Sequence, residues 1–264
     1  RPAPGMALAV EQAKLLWATG KQHRAVVEIQ EALDDSALRD ADPLTASHAM
    51  LRLARWSAAT GQRQKTDVLH IYSNVLRDQK HTEKANFHVA KYMDDLCKDA
   101  SRRELLRAAG ANGAGGDGGS RGRASKFDVD ERSIDYVVEI LTHYATSLRY
   151  GHRHVYESLP RMLTLWFDVG AAAAAHETGG NNSRSASSRG GGGGGGALTA
   201  EQQKERKVAT SATTTVKNFT SILPLYTWLP ALPQLTSRLC HPHAEVRQLI
   251  HELLYRLVKN FPNQ

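Results

Sequence analysis

The sequence predicts an all-α fold, an α-solenoid of stacked helical hairpins in the tetratricopeptide or HEAT manner, and three observations predict it. Apolar residues recur with the helical period in segment after segment. Alanine and leucine outnumber valine and isoleucine, with Lys, Arg, Glu and Gln filling the intervals, a composition that favours helix over strand. Two Thr-Gly turns, Thr19-Gly20 and Thr60-Gly61, stand 41 residues apart, within the spread of helical repeats. No segment alternates polar and apolar residues between two turns, so no strand is expected.

Residues 1–106 read as helical-repeat hairpins. Ala13, Leu16 and Trp17 share one helix face, Gly20 breaks the chain, and Ala25, Val26, Ile29 and Leu33 form the next face. A second pair repeats the plan, with Ala49, Met50, Leu53 and Ala54 before Gly61 and Val68, Ile71, Tyr72 and Val75 after it. Val89, Met93, Leu96 and Cys97 then mark a further helix. Each hairpin leaves a second apolar face that a neighbour must cover, which is the reason to expect stacking.

Two tracts interrupt the pattern. Residues 107–129, around GANGAGGDGGSRGR, and 175–197, around ETGGNNSRSASSRGGGGGG, have almost nothing to bury against the entropy of ordering their glycines, and are expected to be flexible loops. Between them, 130–174 reads as a hairpin: Ile134, Val137, Val138, Leu141, Ala145 and Leu148 on its first helix, then YESLPRMLTLWFDVG. In that run Val155, Leu159, Met162 and Trp166 keep helical phase straight across Pro160, so a core helix is expected, with Val155, Leu159, Pro160, Met162 and Trp166 as its structural core. Pro160 removes one donor and meets the carbonyl of Tyr156 at a cost of about 3 kcal/mol, so a bend or a restarted helix is the anticipated response. Arg161 and Asp168 are expected to be solvated or paired. Residues 198–264 read as further helices continuing the solenoid, the last with Val246, Leu249, Ile250, Leu253, Leu257 and Phe261 on one stripe and Pro242 in its first turn.

The net charge of +7 would suit an acidic partner, but the arginines are dispersed over every segment, so direct nucleic-acid binding is not expected. Two cysteines, Cys97 and Cys240, without a CxxC pattern indicate neither a disulfide framework nor a cysteine zinc site, and a reducing compartment is the simplest reading. No apolar stretch is long enough to span a bilayer. The N-terminus shows no signal-peptide pattern, and the start at Arg1 rather than at a methionine suggests a piece of a longer polypeptide.

No catalytic, cofactor-binding or metal-binding residue is assigned. Gly113, Gly115 and Gly118 satisfy GxGxxG without the strand and helix that such a phosphate loop needs. Cys240, His241 and His243 crowd three metal-ligand types into CHPH, with no fourth ligand cluster in view, and read as a polar loop before a helix. His152 and His154 fall where one helix ends and the next begins, and read as capping or solvated imidazoles. Asp34-Asp35 and Asp94-Asp95 are adjacent pairs whose side chains diverge on a helix, and read as solvated surface. Asn181 and Asn218 fit the glycosylation pattern without a secretory signal. Neither a catalytic-loop aspartate nor a DFG occurs, since GHRHVY has histidine where the base would stand.

LPRMLTLWFDVG, preceded by SLRYGHRHVYES, resembles the hallmark stretch of the helical FAT region of ATR-type checkpoint kinases, within the phosphatidylinositol-3-kinase-related protein kinase family. AKLLWATGKQHRAVVEIQEAL (13–33), KANFHVAKYMDDL (84–96) and SRLCHPHAEVRQLIHELLYRLVKNFPNQ (237–264) are similar to further stretches of that family, in order along nearly the whole chain. The resemblance implies a superhelix of tetratricopeptide-like and HEAT-like pairs that braces and regulates a serine/threonine kinase domain lying C-terminal to this segment. It implies a nuclear role in DNA-damage and replication-stress checkpoint signalling, with that kinase domain and regulatory proteins as partners and no membrane. ATP and magnesium would belong to the kinase domain only. The Gly-rich tracts depart from the family's compact pattern and look like loop expansions. A free-standing helical-repeat adaptor holding a peptide or protein is the alternative.

Overall fold

The computed structural model describes residues 5–79, 82–111, 131–182 and 200–262. Every regular element among them is helical, and they divide into two compact units, residues 1–92 and 93–264.

In the first unit, α1 (Met6–Ala18) packs on α2 (Gln22–Asp34), α2 on α4 (Pro43–Thr60), and α4 on α5 (Lys65–Gln79). The predicted glycine turns join the paired helices. Gly20 and Gly61 have φ of 82° and 65°, the left-handed region that glycine enters without a Cβ penalty. At the first turn Lys21 N–H donates to the Leu16 carbonyl at 2.9 Å and Gly20 N–H to that of Trp17 at 3.1 Å, the two bonds of a Schellman cap. Ala13, Ala25, Ile29, Ala49 and Leu53 fill the core between the hairpins. The hairpins are tied by stacked rings, Trp17 of α1 over Trp56 of α4, with centroids 4.4 Å apart and planes 5° from parallel.

A short helix, α3 (Ser36–Ala41), lies between the hairpins where the periodicity predicts nothing. It forms because Asp35 caps it, the carboxylate accepting from the backbone N–H of Ala37 at 2.9 Å and of Leu38 at 3.3 Å. Asp35 is therefore a cap rather than part of a solvated helix surface; Asp34, exposed, accepts from Gln30 Nε2 at 2.7 Å. Asp42 caps α4 in the same way through Thr45 N–H at 3.1 Å, with Pro43 in the first turn.

Helix α6 (Glu83–Ala111) starts in the first unit and supplies the opening of the second. There α7 (Glu131–Tyr150), α8 (Val155–Asn182) and α9 (Ala200–Ile222) pack against one another. A 3₁₀ segment (Leu225–Ala231), the five-residue α10 (Leu232–Thr236) and α11 (Ala244–Asn260) follow. Pro224, Pro230 and Pro233 withhold amide donors from this stretch, which accounts for its short, tight elements. Helices α6 and α8 run past the loop starts read at 107 and 175, to Ala111 and Asn182. The remainder of those tracts, with the GxGxxG glycines, lies outside the described residues.

Neither proline starts a helix: α8 continues through Pro160 without a restart, and the carbonyl of Tyr156, whose ring is exposed, loses its intrahelical donor there. Pro242 lies outside α11, which begins at Ala244 with His243 as its N-cap.

Candidate functional site

Helix α8 carries a series of polar contacts within the second unit. Leu159, Met162 and Leu163 are fully buried, Trp166 and Phe167 nearly so, and Val155 is buried at the start of the helix, while Pro160 is partly exposed. Around this apolar stripe, single side chains of α8 reach one neighbouring element after another.

Arg161 reaches α6. Its Nε donates to Asp94 Oδ2 at 2.7 Å and its Nη2 to Oδ1 at 2.6 Å, a two-pronged fork. Lys98 Nζ, one turn on from the aspartate, stands 2.7 Å from the same Oδ2 and 3.2 Å from Asp95 Oδ1. The Asp94 side chain is only 1% exposed, which corrects its reading as solvated surface; Asp95 is exposed. Burial works against the Asp94 carboxylate, but hydrogen bonds from Arg161 and Lys98 outweigh it and hold its pKa below the usual range. The same pair raises that of Arg161, first through the hydrogen bond to Asp94. Burial, with the Asp94 charge second, pushes the nearby Cys97 thiol up, which makes it a poor nucleophile.

One turn on, Gln234 Nε2 of α10 donates to the Pro160 carbonyl and to Thr164 Oγ1, each at 3.1 Å. Trp166 Nε1 donates to Thr213 Oγ1 of α9 at 3.0 Å. The Phe167 carbonyl accepts from His241 Nε2 at 3.0 Å, and His241 Nδ1 accepts from the His243 backbone N–H at 3.2 Å. Those two bonds fix one neutral tautomer, and burial pushes the His241 pKa down. Gly170 closes the run: a Cβ there would meet Val246 Cγ2 at 2.8 Å and His241 Cε1 at 3.0 Å, so only glycine admits α11 this close.

The remaining sequence-predicted positions do not converge. The polar loop read before the last helix is found ahead of α11, with Cys240 exposed and His241 and His243 buried. His152 is exposed beside Tyr226, and the His154 carbonyl accepts from Ser158 N–H at 2.8 Å at the start of α8. Among the described residues no group of three or more His, Cys, Asp and Glu is placed to hold a metal ion. What this arrangement can do is hold helices in register.

Residues 2–164 match the FAT domain family, and residues 211–264 match the family described as serine/threonine-protein kinase ATR-like, HEAT repeats. The chain belongs to the FAT-domain family. This FAT region is of the ATR type. It is 28% identical to the serine/threonine-protein kinase ATR of Arabidopsis thaliana and 27% to that of Oryza sativa subsp. indica, over 97% of its length in both cases. It is 22% identical to protein kinase rad3 of Schizosaccharomyces pombe, again over 97%. The chain spans 10% of the length of each of these relatives. In this FAT region α8 bonds across its two matched segments: Pro160 and Thr164 belong to the first, Gln234 to the second.

Proposed function

We propose that this FAT region is a scaffold segment of an ATR-like serine/threonine protein kinase, bracing and regulating a kinase domain that lies C-terminal to it in the same polypeptide. The reading extends to a nuclear role in DNA-damage and replication-stress checkpoint signalling, with regulatory proteins as partners. ATP and magnesium belong to the kinase domain, and the segment itself contributes no catalytic group.

One observation carries the reading: a single helix, α8, bonds on several sides to α6, α9, α10 and the loop before α11 through buried or half-buried groups. A helix held at so many points shifts as a body when any neighbour is displaced, since packed layers have discrete arrangements rather than continuous give. The names of the relatives, each a protein kinase, supply the activity to be regulated. The experiment is Trp166→Ala in the full-length protein, a change costing about 3–5 kcal/mol at a core tryptophan. Partner-stimulated phosphorylation of a substrate is expected to fall; an unchanged rate in a protein whose α8 has measurably loosened overturns the proposal.

A further inference from the structure

The first unit holds a groove of about 380 Å³ that the α8 network does not use. Its walls are the leading helices of successive hairpins, α1 and α4, with the start of α6 at one end. Val10 and Leu51 lie on its apolar floor. Lys14, Arg52, Arg55 and Lys84 line it against a single acid, Glu11, which is already bonded to Lys14.

Two of these cations are left over. Arg52 and Arg55 stand one turn apart on α4, and neither forms an ion pair among the described residues. Arg52 is held over the Trp56 ring at 5.4 Å, and its Nε is buried with no hydrogen-bond partner. Burial first and then the Arg55 charge push its pKa down, against a smaller pull from Glu11, so the groove bears a partly desolvated guanidinium beside a like charge. A carboxylate entering the groove would neutralise the pair, forming with the guanidinium tips the charge-assisted bonds for which the fork is suited. The apolar floor asks for a hydrocarbon group in the same ligand. This FAT region has 34 Lys and Arg against 27 Asp and Glu and no run of acids longer than two, so charge complementarity asks for an acidic segment from outside it.

We propose that this groove docks an acidic segment of a partner protein, with carboxylates on Arg52 and Arg55 and an aliphatic side chain over Val10 and Leu51. The rim basicity speeds the encounter, and the hydrocarbon contact distinguishes the segment from a bare anion.

The test is fluorescence anisotropy with the full-length polypeptide and a labelled peptide of about twelve residues alternating glutamate with leucine. Saturable binding is expected, about tenfold weaker for Arg55→Gln and weaker again for Arg52→Gln with Arg55→Gln. Arg77→Gln, an exposed charge on α5 away from the groove, leaves the affinity unchanged. Arg55→Glu loses the acidic peptide and takes a lysine–leucine peptide better than the unaltered protein does, a switch that mere unfolding cannot produce. Equal affinity with and without Arg55, equal weakening by Arg77→Gln, or a glutamate-only peptide binding as tightly as the mixed one would overturn the proposal.

Discussion

Replacing Arg161 with alanine leaves Asp94, 1% exposed, with the Lys98 ammonium at 2.7 Å and the Tyr144 hydroxyl as partners. Two charge-assisted bonds, at 2.7 and 2.6 Å, disappear. Removing one partner of a buried pair typically costs about 3–5 kcal/mol. Lys98 is 47% exposed and stays in contact with the carboxylate, so the loss here is expected at about 2–3 kcal/mol. Urea denaturation of the unaltered and variant chains measures it.

The partner experiment uses Asp94→Leu with Arg161→Met, which removes both charges at similar volume and should recover part of the loss: no buried ion is orphaned and Lys98 keeps Asp95, although the buried Tyr144 hydroxyl loses its Asp94 partner. The pH dependence follows from the direction of the Asp94 shift. A carboxyl whose folded pKa lies below its unfolded value adds stability above about pH 4, lost as pH falls through the folded pKa. In Arg161→Ala the folded pKa rises toward the unfolded one, so less stability is lost on acidification and the acid limb of the stability curve flattens. A single variant within about 0.5 kcal/mol of the unaltered chain, or a double variant as unstable as the single, would refute this account of the pair.

Gly170→Ala should lower stability by about 1–3 kcal/mol despite alanine's better helix propensity, because the new Cβ falls 2.8 Å from Val246 Cγ2; adding Val246→Ala should return part of the loss in the same melting measurement. Gly61→Ala meets no atom within 4 Å, so its cost is the left-handed backbone alone, about 1–2 kcal/mol, and a neighbouring truncation should not relieve it. His241 is held neutral by burial, its folded pKa below the unfolded one, so the unfolded chain binds more protons and stability falls as pH drops below about 6.5. Half-buried His143, its pKa also lowered by burial, adds the same sign; His241→Asn should therefore reduce, without abolishing, the fall in Tm between pH 7.5 and 5.5.

Hairpin helices were legible because their cores are local in pattern: Ala13 with Leu16 and Trp17, or Val68 with Tyr72 and Val75, repeat at helical spacing and meet across a glycine turn. The stripe through Val155, Leu159, Met162 and Trp166 was readable for the same reason, and the structure buries all four. Helix α3 was not, since its cap, rather than any apolar face, makes it. Asp94 did leave a trace: it stands four residues after Ala90 and beside Met93, in phase with buried positions, so an acid there called for a cation. Nothing local named Arg161 as that cation, 67 residues on. His241 and Gly170 gave less, because their roles arise only where the loop before α11 crosses α8.

Helix α8 ties the helices of the second unit into one body. Native-state hydrogen exchange on the Trp166→Ala chain tests it directly. Faster exchange spreading together through α8, α9 and α11 is the predicted result. Acceleration confined to the amides flanking residue 166, with α9 and α11 protected as before, would contradict it.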